Sequence, residues 1–341
     1  MKLRISRRAA IAAAFAAATA RVFLDLALDA GQVHNGLWIA ALLGALPVIP
    51  YLLCLETVGS VPHPLRRLLT LLALIVTALD AATVFASVAR TFGWLALDHV
   101  SGLVLTVPLT LAALWCACRN GDAVGHAAML WIRVFPALLL IVVLLQMRCF
   151  RAEWLRPLLG SGWPDIANCS LRTAGCFIPA TSVLLACGDD NPGPNHLPSF
   201  ARVACAALVA ALLLVLRLMM TPTSRLYMPW LARLDALLTN GRAPLYLQLP
   251  MILTWFIGLL HLLTCECFAA SALLQRLVPA VNGRVCTAVV IIGCASVSFL
   301  GFPEALENDA LPWLFIVAAA LLSIAVLARR LSKGGKRLCE D

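Results

Sequence analysis

Apolar residues run through this chain in ten continuous stretches, at 8–28, 37–58, 68–92, 95–118, 124–147, 165–187, 200–220, 246–275, 285–302 and 311–327. Each is near the length of about 20 residues that a helix needs to cross about 30 Å of hydrocarbon. The runs are continuous rather than alternating, so they predict helices, whose backbone amides are satisfied internally, and not the strands of a barrel. No room is left for a soluble domain. The expected organisation is one integral membrane domain over residues 1–341.

Composition supports this reading independently. The apolar fraction is 62% and the charged fraction 13%, against about 25% charged in soluble domains. A net charge of +9 could suggest nucleic acid, but the placement of the charges argues otherwise. Lys2, Arg4, Arg7 and Arg8 precede the first stretch, and Arg329, Arg330, Lys333, Lys336 and Arg337 follow the last. Basic clusters beside terminal spans are the positive-inside signal, so both termini are expected in the cytoplasm. Arg66, Arg67, Arg119, Arg276 and Arg284 then fall inside. Arg148, Arg151, Arg156, Arg225, Arg233 and Arg242 fall outside, and the sixth-to-seventh connection carries Asp189 and Asp190 where bases would be expected. The Ala-rich start continues through Arg21 and Asp25 without a cleavage context, which predicts a retained first span rather than a signal peptide.

The thirteen cysteines do not change the picture. Cys116 and Cys118, and Cys265 and Cys267, are one residue apart, without the two-residue gap of paired zinc ligands. They read as small packing residues. Cys339 is too close to the terminus for a prenylation box. No cofactor is expected, and no nucleophile–base constellation suggests an enzyme.

Two connections are longer. Residues 148–164 are rich in Gly, Pro and Trp, with Trp154 and Trp163 at interfacial depth, and predict an ordered re-entrant or capping loop. In 221–245, Leu231, Leu234, Leu237 and Leu238 recur at helical spacing and predict a short amphipathic surface helix.

Charges inside a bilayer usually face a cavity or a partner helix. Here they are Arg21 and Asp25 in the first stretch, Asp80 in the third, Arg133 in the fifth, Arg172 in the sixth, and His261 with Glu266 in the eighth. Arg21 and Asp25, four apart, read as a self-neutralising pair on one helix face. Asp80 has no local partner, and reads either as the cross-helix partner of Arg133 or Arg172 or as a cavity group. Glu266 reads equally as cavity-facing or snorkelling. His261 and Glu266 are nearly opposed around a helix, which rules against a metal pair. The sixth stretch places Gly175 and Pro179 inside a polar run, so it reads as a broken helix lining a cavity or as a plain kink.

One arrangement is more specific. Leu155-Arg156-Pro157-Leu158-Leu159-Gly160-Ser161-Gly162 followed by Ile166-Ala167-Asn168 resembles the spore germination receptor B-subunit family, permease-like proteins of the amino acid–polyamine–organocation transporter superfamily. Phe135-Pro136, Trp255 with Phe268-Ala269-Ala270, and Ala30-Gly31-Gln32 before Trp38-Ile39 are similar as well. The resemblance implies an all-α membrane protein of about ten transmembrane helices, a LeuT-like inverted-repeat bundle with helices 1 and 6 interrupted. It further implies a spore inner-membrane or cell-membrane location, a small amino acid or similar solute as ligand, and A-type and lipoprotein C-type receptor subunits as partners, with no nucleic acid. The chain departs from the family pattern: Pro179-Ala180-Thr181 stands where relatives carry Gly-x-Glu, Ala18-Thr19-Ala20-Arg21 replaces a Gly-rich break, and Met129 and Ile132 stand for an Arg and a Glu. The expected ligand contacts are Thr19, Asp80, Thr173, Gly175, Phe177, Thr181, Trp255 and Glu266. The alternatives are a secondary amino-acid or cation transporter with proton coupling through Asp80 or Glu266, and a structural subunit that binds nothing.

Overall fold

The computed structural model describes residues 7–33, 37–54, 63–96, 102–118, 121–146, 162–187, 245–299 and 310–337. The described elements are all helices: α1 (Arg7–Val33), α2 (Leu37–Ala45), α3 (Val48–Cys54), α4 (His63–Ala96), α5 (Gly102–Ala117), α6 (Gly121–Gln146), α7 (Trp163–Gly175), α8 (Ile178–Cys187), α9 (Leu245–Leu277), α10 (Gly283–Phe299) and α11 (Leu311–Arg337). By length and composition, Pro64–Val88, Trp163–Cys187 and Phe256–Leu277 can each cross a membrane. The stretch at 200–220, the surface helix at 227–238 and nearly all of the loop motif at 155–162 lie outside the described residues.

The long helix α9 is the axis of the bundle. It packs against α1, α4, α5, α6, α8 and α10, while α1 also packs on α6, α7 and α8. Leu259, Leu262, Leu263, Cys265, Cys267 and Leu273 are accordingly fully buried. The outer helices instead expose large apolar residues, among them Trp115, Leu130, Val289 and Ile324. A helix buried over most of its second half at the centre, with apolar residues turned outward at the rim, is the arrangement a lipid environment stabilises.

Close approach between helices is set by glycines, Gly44 and Gly258 among them. A Cβ on Gly44 of α2 would lie 2.8 Å from Cβ of Thr173 and 3.1 Å from N of Ala174, so α2 and α7 pack too closely for any side chain there. A Cβ on Gly258 of α9 would lie 2.7 Å from the Trp131 ring. That space lets the Trp131 indole stack on Phe135 at 4.4 Å and donate to the Thr254 carbonyl at 2.8 Å, fastening α6 to α9.

Two expectations change at the level of single helices. The first helix is not interrupted: α1 runs unbroken from Arg7 to Val33. Its sequence explains why, because residues 7–30 contain neither Gly nor Pro and are dominated by Ala, the strongest helix former. The stretch at 37–58, by contrast, begins as two helices, α2 and α3, separated at Leu46 and Pro47. Pro47 has no amide proton to continue the ladder, and the chain restarts with Pro50 in the first turn of α3, where a missing N–H costs nothing.

Candidate functional site

The sixth stretch is broken as its sequence suggests, but two residues earlier than Pro179. α7 ends at Gly175, Cys176 and Phe177 form the turn, and α8 starts at Ile178. The turn closes with tight i→i−3 bonds, from N–H of Cys176 to the Thr173 carbonyl and from N–H of Phe177 to the Ala174 carbonyl, both 3.1 Å. Pro179 is the second residue of α8, where its ring fits the first turn. Its effect is upstream, because it removes the amide that would otherwise bond to the Gly175 carbonyl. α7 itself starts after Gly162, whose φ of 121° is a conformation open to glycine, and Pro164 and Asp165 occupy its first turn.

The centre of the bundle holds an ion pair. Nη2 of Arg21 lies 3.2 Å from Oδ1 of Asp80, with the side chains 6% and 0% exposed. The Arg21 guanidinium also reaches Oγ1 of Thr83 at 3.5 Å, and Thr83 donates to the Asp80 carbonyl at 2.8 Å. α1 and α4 have no extended direct packing among the described residues, though both pack on α8 and α9. Arg21 therefore crosses a gap between two helices, and its length is what closes that gap.

This adds a long-range partner to the expected local one. Arg21 reaches Asp80 across the bundle, and the side chain of Asp25, its expected local partner, lies outside the described residues. Asp80 takes its cation from α1, not from Arg133, which is exposed, or Arg172. The physical reason is burial. A carboxylate with no accessible surface needs an opposite charge within reach, because removing the partner of a buried charge costs about 3–5 kcal/mol.

The expected ligand contacts fall into groups. Thr19, Asp80, Phe177, Thr181 and Glu266 are buried on helices that pack around one another, α1, α4, α8 and α9, or on the turn before α8. Thr173 faces Gly44 of α2, and a Cβ at Gly175 would meet Pro312 of α11 at 3.6 Å. The side chain of Trp255 lies outside the described residues. Thr19, Thr173 and Thr181 each donate their hydroxyl to their own helix, to the carbonyls of Phe15, Cys169 and Ile178 at 2.8, 2.9 and 2.9 Å. Their oxygens keep acceptor capacity only.

Sequence reasoning missed several neighbours. Thr77, Asp80, Thr83 and Ser87 form a buried polar stripe along α4, legible as hydrophilic positions three to four apart in an apolar run. Thr77 meets Ser182 of α8 at 2.7 Å. His261 lies 3.1 Å from Sγ of Cys265 one turn on, although only Glu266 was its expected comparison. Arg276, near the end of α9, donates to the last carbonyls of α8, those of Leu185 at 2.8 Å and Ala186 at 2.5 Å. Among the described residues no group of His, Cys, Asp and Glu is placed to hold a metal ion.

This fold is the all-helical membrane transporter fold, and the chain is a multi-pass integral membrane protein. It superimposes on Mhp1, a nucleobase-cation-symport-1 family transporter solved in a closed conformation with bromovinylhydantoin bound, with a TM-score of 0.67 at 10% identity, covering 96% of this chain and 80% of that one. It is similar also to the manganese transporter of Eremococcus coleocola, with a TM-score of 0.56 at 12% identity, covering 95% of this chain and 79% of that one. No protein-family model matches the sequence. No curated protein matches it either.

Proposed function

We propose that this protein is a secondary transporter of a small solute, bound where α1, α4, α9 and the Cys176–Phe177 turn converge. The observation that carries the reading is the buried Arg21–Asp80 pair between α1 and α4. Buried charges inside a membrane bundle are costly, and a pair placed across a gap between helices is suited to orienting a polar ligand. The broken helix supplies the second element, because the Gly175 carbonyl, whose amide partner four residues on would be that of Pro179, presents an acceptor at membrane depth. Phe177, Thr181 and Glu266 complete the proposed lining. The transporter fold, matched over at least 95% of the chain, favours solute movement over static assembly.

Reconstitution in proteoliposomes tests the reading. Sustained uptake of an amino acid or similar polar solute is expected, and Asp80→Asn or Glu266→Gln should abolish it. Binding without uptake in any imposed ion or solute gradient would sink the transporter reading.

A second reading is favoured by the unbroken α1, which lacks the exposed helix ends expected of that span. In it the protein is the solute-sensing subunit of a nutrient germinant receptor, acting with A-type and lipoprotein C-type subunits. Ligand would then shift the balance between two packings of the bundle, which requires tighter binding to one of them. Co-purification with those subunits, together with ligand binding in the absence of flux, distinguishes it.

A further inference from the structure

A guanidinium turned toward hydrocarbon is costly unless an opposite charge meets it, and α6 turns one outward. Arg133 is exposed. Ala123, Ala127, Leu130, Val134 and Ala137 are exposed as well and share about a third of the helix circumference with it. We propose that this face of α6 docks a transmembrane helix of another protein, one that carries an aspartate or glutamate at mid-membrane depth. The proposal applies to a transporter and to a sensor alike and rests on neither reading.

Depth is the first argument. At 1.5 Å per residue, Arg133 lies about 18 Å along the axis from Gly121, where α6 starts, and about 20 Å from Gln146, where it ends. Polar residues border the span at Arg119 and Asn120 on one side and at Gln146 and Arg148 on the other. Arg133 is therefore close to the middle of a hydrocarbon layer about 30 Å thick. Basic side chains near helix ends snorkel to the headgroups. From the middle, neither headgroup layer is within reach, so a lipid phosphate does not serve.

The surroundings are the second argument. Leu130 and Val134, beside Arg133 on the same face, are 66% and 44% exposed. Such a lining suits lipid tails or a packed helix, not a water-filled vestibule. Ala123 and Ala127, four residues apart, allow close approach of a second helix.

The third argument is the source of the anion. Arg133 has no acidic partner among the described residues. The described carboxylates are committed elsewhere: Asp80 and Glu266 are buried, and Asp165 sits in the first turn of α7. A second copy of this chain therefore offers, among the described residues, no exposed carboxylate at the required depth. A carboxylate on a foreign helix would be as costly alone as Arg133 is, and docking removes both penalties at once.

The experiment measures energy transfer between the purified full-length protein and synthetic Leu/Ala transmembrane peptides in phosphatidylcholine vesicles. The peptides carry Glu at the centre, Gln at the centre, or Glu near one end. The central-Glu peptide should bind about tenfold more tightly than the other two. Arg133→Leu should erase that preference, Arg133→Lys should keep it, and Arg133→Glu should transfer it to a peptide with a central Lys. Equal binding of the three peptides to the wild type would overturn the proposal. On its own, the Arg133→Leu protein should unfold at or above the wild-type temperature. A lower temperature would show that the arginine already has a partner within the chain, and would overturn it too. Phosphatidylglycerol that stabilises the wild type but not Arg133→Leu would assign the charge to lipid. Modification of Arg133→Cys by a membrane-impermeant thiosulfonate, beyond the wild-type level, would place it in water. Either result sinks the docking surface.

Discussion

The first and sixth membrane stretches solve one problem in opposite ways. Both bring polarity to the middle of an apolar bundle. In the sixth, the backbone supplies it: α7 stops at Gly175, α8 restarts at Ile178, and the turn between them interrupts the ladder. In the first, the helix is intact and a side chain supplies it, because Arg21 projects from the unbroken α1 to Asp80. The contrast shows that a helical membrane bundle can bring polarity to its middle with only one of the two spans broken. A charge placed correctly on a continuous helix delivers polarity at the same depth, and it keeps the hydrogen bonds that a break would forfeit.

The sharpest way to break the comparison is to remove one member of the pair. Arg21→Ala or Asp80→Leu alone should cost about 3–5 kcal/mol, because each leaves a buried charge without this partner. Replacing both together, as Arg21→Met with Asp80→Leu, should restore most of the unfolding temperature while abolishing ligand binding. Equal losses from the single and double replacements would show that the pair is not coupled. Next in size, Ala18→Pro forces a break into α1 and should cost about 3 kcal/mol, measured as a lower unfolding temperature or lost monodisperse protein.

A smaller effect is expected at the far end of α8. Arg276→Ala removes two charge-assisted bonds to the Leu185 and Ala186 carbonyls, and bonds to charged groups contribute about 1.5–3 kcal/mol. Cys187, half-buried at that helix end, is a natural reporter. Its maleimide labelling should accelerate, whereas labelling of the buried Cys267 in the middle of α9 should not. The smallest effect is expected at Pro179→Ala. The proline already fits the first turn of α8, so stability should change by less than about 0.5 kcal/mol. A stabilisation well above that would mean the proline itself, not the turn before it, holds the helix open.

Much of this was legible in the residues. Continuous apolar runs identified a helical membrane bundle, and Gly175 with Pro179 located the break to within a few positions. The Ala-rich start of the chain, with no Gly or Pro before Ala30, argued against a break in the first span, and the expectation of one came from resemblance rather than from those residues. Asp80 stood out as a charge without a local partner. Its partner did not stand out, because Arg21 had a plausible neighbour four residues away in Asp25, and sequence spacing is blind to which side of a helix meets another helix. The same blindness hid Arg276, which the fold places against the last carbonyls of α8. The division of the second span at Pro47 was visible as a proline in an apolar run, yet only the packing of α2 on α7 through Gly44 shows why the chain bends there.

The sequence by itself determined the solvent, the secondary structure and the candidate charges. Hydrophobic run length, helix propensity and the missing amide of proline are local properties, felt within a few residues of where they are encoded. Only the tertiary structure decided which charge meets which. That choice depends on side chains 59 positions apart, Arg21 and Asp80, brought to 3.2 Å by helices that barely touch each other but share α8 and α9 as neighbours. Burial then makes the pairing compulsory, because in a medium that cannot solvate a charge the nearest opposite charge is the one that must be found.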